Sequence, residues 1–183
     1  VHPTIVEELL PGVMRLSEIQ TILQMLLRED IPIRQLGTIL ETLGNFATRT
    51  KDAVMLCEYV RGRLARTICQ RFADSSGQLH VITMDPVMED RIAAGFDLTE
   101  RGFLIRMSPP AIEITCRQIS DQLKKLTAAG RKPILVVNPR IRPAVRHITQ
   151  AHLPDLRVIS HAEITQGTTT MAVGVVTDPV SKI

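Results

Sequence analysis

Pro133-Ile134-Leu135-Val136-Val137-Asn138-Pro139-Arg140 sets four consecutive aliphatic residues between two prolines. A run that is apolar at every position, not at alternate ones, predicts a strand covered on both faces, as in parallel sheets. Asn138-Pro139 ends that strand and opens a helix bearing Ile141, Val145 and Ile148, which Leu153-Pro154 stops. Leu156-Arg157-Val158-Ile159 reads as the next strand. Upstream, Ser108-Pro109-Pro110 starts a long helix whose Ile112, Cys116, Ile119, Leu123 and Leu126 recur in steps of four and three. Lys124 and Lys125 lie in its last turns, where cations suit the dipole, and Gly130 ends it. Leu79–Met84 and Gly102–Met107 read as strands, the first followed by an Asp85-Pro86 helix start, and Met171–Val176 as a fifth. Strands alternating with helices imply a small α/β sandwich over residues 77–183, with a mixed, partly parallel sheet.

The grammar differs before Asp74-Ser75-Ser76-Gly77, a turn or linker. Ser17 and Gln20 have capping-box spacing and predict a helix to about Glu29, with Ile19, Ile22, Leu23, Leu26 and Leu27 on its buried face. Ile31-Pro32 breaks the chain. A second helix starts near Ile33 and buries Ile33, Leu36, Ile39, Leu40 and Leu43. A third is expected from about Lys51 to Phe72, with Leu56, Val60, Leu64, Ile68 and Phe72 every four residues and Arg61, Arg63, Arg66 and Arg71 on its other faces. Thr4–Leu10 adds a short helix. The fold class is therefore mixed: a helical subdomain over 1–76, then the α/β subdomain.

Composition narrows the function. Of 183 residues, 44% are apolar and 22% charged, enough to build a core. The longest unbroken apolar run is far too short to span a bilayer. The opening Val1-His2-Pro3 carries no leader pattern, and a piece of a longer protein is the simplest expectation. With four Phe, one Tyr and no Trp, ring stacking on bases or sugars is a poor prospect. The net charge of +3 falls entirely after residue 76, where Arg131, Lys132, Arg140, Arg142, Arg146 and Arg157 are accompanied by the single acid Asp155. A solvated helix face explains this simply; a docking patch for an acidic partner is the sharper reading.

Catalytic signals are absent. Cys57, Cys69 and Cys116 form no CxxC pair, and the five histidines show neither HExxH nor HxH spacing, so no metal is expected. There is no GxGxxG, GxxxxGK[ST] or GxSxG motif, and proline at 139 removes a donor where a phosphate loop needs one. The paired carboxylates Glu7-Glu8, Glu29-Asp30 and Glu89-Asp90 read as solvated surface. No catalysis, cofactor or small-molecule substrate is expected. One rival is a helix-turn-helix DNA-binding regulator using Arg34, Gln35 and Thr38, but residues 1–76 have no surplus charge for phosphates, so nucleic acid is not expected as a partner. The other rival is an α/β enzyme built from distant residues.

Several stretches carry a family resemblance: Pro3–Pro11, Leu26-Leu27-Arg28-Glu29-Asp30-Ile31-Pro32-Ile33-Arg34, Thr38–Leu43, Pro133–Pro143 and Leu153–Ile164. In this order and spacing they resemble the FHIPEP family of type III export-gate proteins, which serve flagella and injectisomes. The resemblance covers nearly the whole chain. It implies the third and fourth subdomains of a cytoplasmic region carried by a membrane protein at the bacterial inner membrane. It further implies assembly with copies of itself into a nine-membered ring, and docking of export chaperone–substrate complexes, the export ATPase apparatus and other gate proteins. Glu18, Arg28, Arg34 and Glu41 are the resulting candidates for subunit contacts, and Arg140, Arg142 and Arg146 for partner docking. The sequence departs from the family at Pro143, which interrupts a basic run, and after Ile164, where Thr165–Thr170 is less acidic.

Overall fold

In the computed structural model of the chain, residues 6–7, 9–99 and 102–178 are described. Contacts divide it into two compact units, Val1–Arg71 and Phe72–Ile183. The helical stretch expected over Thr4–Leu10 lies partly outside the described residues; Val6, Glu7 and Leu9 are helical.

The first unit packs α1 (Leu16–Arg28), α2 (Leu36–Phe46), α3 (Ala53–Arg63) and most of α4 (Ala65–Phe72). Helix α1 begins before Ser17, so the expected Ser17/Gln20 box does not form. Its N-terminus is closed instead by Glu18, whose carboxylate accepts the Arg15 amide proton at 2.6 Å. Ile19, Ile22 and Leu26 are buried as expected, but Leu27 is 53% exposed. Helix α2 starts at Leu36 and not near Ile33, because the chain stays non-helical from Ile31 through Gln35. Proline at 32 pushes its predecessor out of the helical region. The single third helix of the sequence reading is two. Leu64 breaks it, with its amide shared between the Val60 and Arg61 carbonyls. Leu56, Val60, Leu64, Ile68 and Phe72 are nevertheless all buried. Asp52 caps α3 by accepting from the Met55 amide at 2.8 Å, and Phe46 and Tyr59 stack with ring centroids 4.1 Å apart.

The second unit is built on a four-stranded sheet of β1 (Gln78–Met84), β4 (Ile134–Val137), β5 (Arg157–Ser160) and β6 (Thr169–Val176), in the order β5-β4-β1-β6. All its pairings are parallel. The antiparallel pairing is a separate hairpin, β2 (Phe96–Thr99) with β3 (Gly102–Ile105). The expected strand at 102–107 therefore lies outside the main sheet, and its partner β2 was not anticipated. Helices α5 (Pro86–Ala94), α6 (Pro109–Thr127) and α7 (Arg142–Thr149) complete the unit. One face of the sheet offers Ile82, Met84, Leu135, Val137 and Val158 to Met88 and Ile92 of α5, Ile119 and Leu123 of α6, and Val145 of α7. All four residues of β4 are buried, which accounts for its continuous aliphatic run. Asp85 caps α5 through the Val87 amide at 2.8 Å, and Gly130 takes a positive φ of 66° after α6. Helix α7 starts later than Asn138-Pro139; Asn138 instead closes a turn by accepting the Arg140 amide at 3.0 Å.

Candidate functional site

The turn between α1 and α2 gathers the chemistry of the first unit. Asp30 has φ of +61°, a left-handed conformation that aspartate tolerates better than most residues. This reversal sends the adjacent carboxylates in different directions. Glu29 is 8% exposed and receives Arg61 Nη1 at 2.9 Å, while Arg61 itself is only 1% exposed. Asp30 receives Arg71 Nη2 at 2.6 Å at the surface. Of the Glu29-Asp30 pair, only Asp30 is thus at the solvated surface; Glu29 is buried, and Arg61 is not on an outer face of its helix. A shared four-residue period drew Arg61 outward in the sequence reading; its pairing with Glu29 draws it in.

Beside this turn is an open cleft of about 620 Å³, lined by Leu27, Asp30, Pro32, Arg34, Gln35 and Arg71 among others. Gln35 donates to Thr67 Oγ1 at 2.8 Å. Of the residues proposed to read DNA bases, Gln35 is therefore engaged, and Thr38 is half-buried. Arg34 and Arg28 are exposed, with no ion-pair partner among the described residues. Glu41 is exposed on α2, and Glu18 is partly exposed but occupied in closing α1. Leu16, 69% exposed, and Leu27 lie on one side of α1 with Gln20 and the half-buried Leu23, at helical spacing. Helix α1 thus carries a second apolar stripe, of which the sequence reading placed Leu23 and Leu27 on the core face.

The three arginines of the second unit do not form one patch. Arg140 is exposed. Arg142 is 2% exposed and its Nη1 donates to the Val158 carbonyl at 3.3 Å. Arg146 Nη1 donates to the Leu156 carbonyl at 3.3 Å. Strand β5 is a sheet edge, and the Arg157 amide faces inward to the Pro133 carbonyl. Leu156 and Val158 therefore direct their backbone groups to the open side, where the arginines meet them. Glu163 does the same for the Ser160 amide at 2.6 Å. These side chains close an edge that would otherwise pair with another strand. Opposite, β6 presents an uncharged edge strand with Met171 and Val175 about half exposed.

Among the described residues no catalytic constellation forms. Glu89 Oε1 accepts the Asn138 amide at 2.8 Å, at the carboxyl end of β4, where an anionic ligand would bind in a nucleotide-binding sheet. Among the described residues no group of three or more His, Cys, Asp or Glu could hold a metal ion. Burial pushes the Cys116 thiol up to about 11, so it stays protonated and inert. Asp74 is held well below the usual carboxylate range by hydrogen bonds from Ser76 and Gln78, and lies in a turn, not in a cleft. No helix among the described residues is long and apolar enough to cross a membrane.

The FHIPEP family matches residues 1–169. The chain is 33% identical over 175 residues to the flagellar biosynthesis protein FlhA of Bacillus subtilis, covering 96% of this chain and 26% of that protein. Its fold is similar to that of nonameric EPEC SctV-C, with a TM-score of 0.82 and 30% identity over 94% of this chain and 52% of the other. It is similar also to Chlamydia pneumoniae CdsV in complex with CdsO, with a TM-score of 0.84 and 28% identity over 96% and 51%. The chain spans about a quarter of the length of the FlhA relative.

Proposed function

The chain belongs to the FHIPEP family, and from that premise we propose that it is a cytoplasmic part of a type III protein-export gate, which forms a ring with copies of itself and receives export partners. The observation that carries this reading is the surface of α1 and the turn after it: exposed Leu16 and Leu27 beside Arg28 and Arg34, cations with no ion-pair partner among the described residues. An apolar stripe rimmed by uncompensated charge is what a protein–protein contact needs. The nonameric state of SctV-C supports nine copies as the assembly. In this reading Arg28 and Arg34 meet acids of the neighbouring subunit, with Glu41 and Glu18 at the margin.

The same proposal assigns residues 1–76 to the third and 77–183 to the fourth cytoplasmic subdomain of the family, at the cytoplasmic face of the bacterial inner membrane. The fourth receives export chaperone–substrate complexes, the ATPase apparatus and other gate proteins. The complex of CdsV with CdsO supports docking of this kind. Arg140, with the partly exposed Arg146, is the cationic contact available for it. No catalytic step is assigned.

The test is mass in solution at rising concentration, for the chain alone and joined to the upstream part of its natural protein. Leu27→Asp and Arg34→Glu should each abolish the high-order species and leave the helical content unchanged. A ring that persists in the double variant would sink the proposal.

A further inference from the structure

The two edges of the four-stranded sheet are treated differently. At β5, Arg142, Arg146 and Glu163 occupy the outward backbone groups of Val158, Leu156 and Ser160. Strand β6 pairs with β1 alone, and among the described residues no hydrogen bond reaches its outer side. Thr169, Thr170, Met171 and Ala172 are all exposed and keep an unbroken register with residues 78–81. The register then shifts: Val81 faces Ala172 and Ile82 faces Gly174, so Val173 is an extra residue at which the strand bends. The bend prevents a long flat pairing and leaves residues 169–172 as the straight part that another strand can follow.

The bend also brings a cation to the edge. A methyl group at Gly174 would lie 2.6 Å from Gln122 Oε1 and 3.3 Å from Lys125 Nζ, so the missing side chain is what lets these two residues of α6 lie against β6. Lys125 Nζ donates to Gln122 Oε1 at 2.7 Å. Lys125 is exposed and has no ion-pair partner among the described residues; Asp121, one turn away, is taken by Lys124 at 2.6 Å. No residue from 164 to 177 is acidic, and Asp178 is buried against Arg91 at 3.0 Å.

We propose that the open edge of β6 takes an extended, acidic segment of another protein as an added strand, with its backbone along residues 169–172 and a carboxylate on Lys125. Main-chain pairing supplies the affinity and Lys125 the choice of charge. A second copy of the chain does not fit this edge. Its β5 edge is already closed, and its β6 brings no free carboxylate to Lys125. The surface involves neither Arg140 nor Arg146, and it stands whether or not the chain forms a ring.

The probe is a blocked hexapeptide of alternating threonine and valine with a glutamate at each end, added to the isotope-labelled chain and followed by amide NMR and amide exchange. Binding should shift and protect amides of β6 and leave the β5 edge unchanged. The same peptide ending in lysines should bind about fivefold more weakly, and Lys125→Glu should reverse that order. Methylating the peptide nitrogens at every second residue keeps the side chains but removes the donors along one side. One of the two possible phases should lose about a hundredfold in affinity, the other little. That comparison leaves the protein untouched, so it decides the matter even if Lys125→Glu weakens the fold. No binding at millimolar peptide, protection that falls elsewhere on the chain, equal affinity of the two methylated forms, or an order unchanged in Lys125→Glu overturns the proposal. So does protection of β6 in the free chain that grows with its concentration, which makes a second copy the occupant.

Discussion

Replacing Glu29 by Leu, leaving Arg61 in place, removes the carboxylate that receives a guanidinium only 1% exposed. A buried pair held at 2.9 Å offsets most of the cost of removing two charges from water; a lone buried charge offsets none of it. Breaking one partner of such a pair costs about 3–5 kcal/mol. A unit of this size has a total stability of roughly 4–11 kcal/mol, at about 0.05–0.15 kcal/mol per residue. Either single change, Glu29→Leu or Arg61→Met, should therefore remove from about a quarter to all of it. The double change restores an apolar interior and should return stability to within about 1 kcal/mol of the parent, or above it. Tyr59 makes this measurable. It is the sole tyrosine of a chain without tryptophan and stacks on Phe46 within the helical unit, so intrinsic fluorescence follows that unit alone. Urea titrations of the four proteins give the coupling energy directly. Single variants that each lose under about 1 kcal/mol, with no coupling in the cycle, would refute the burial argument.

Arg142→Met removes a buried donor to the Val158 carbonyl and opens the β5 edge; it should destabilise the sheet unit by about 1–3 kcal/mol and raise concentration-dependent aggregation, seen by light scattering. On the opposite edge, Val175→Lys places a charge on an uncharged strand and should lower aggregation without weakening the fold. Asp52→Ala removes the cap of α3 and should cost about 1 kcal/mol in the Tyr59-monitored transition. Asp74 is a carboxyl whose folded affinity for protons is depressed, so its contribution is complete above the unfolded value near 4 and is lost as pH falls further. Thermal melts of the sheet unit below pH 4 should thus fall less steeply for Asp74→Asn than for the parent chain.

Periodicity made the layers legible because burial obeys it: β4 is covered on both faces, and the four-residue stripe from Leu56 to Phe72 is buried throughout. It misplaced features that depend on polar side chains finding distant partners. Arg61 has the spacing of an outward residue, yet Glu29, remote in sequence, draws it inward. Arg142 and Arg146 look like a basic surface, and only the position of β5 at the sheet edge turns them toward backbone carbonyls. Leu27 shows the converse: its helical spacing reads as core, yet the packed structure leaves it 53% exposed. Family motifs pointed to the α1–α2 turn but not to its left-handed Asp30, a conformation that residue identity alone does not announce.

The parallel sheet also dictates when each part of the chain can take shape as it leaves the ribosome. Strand β1 lies inside the sheet, yet both strands that flank it are made much later; Gln78 pairs with Thr169, near the end. Contacts between such distant residues form slowly, because a long loop must close before they are rewarded. The helical unit, built from neighbouring helices, has no such wait. During synthesis it stands complete while β1 is still an open edge, and the last strand, β6, is the piece whose arrival closes that edge.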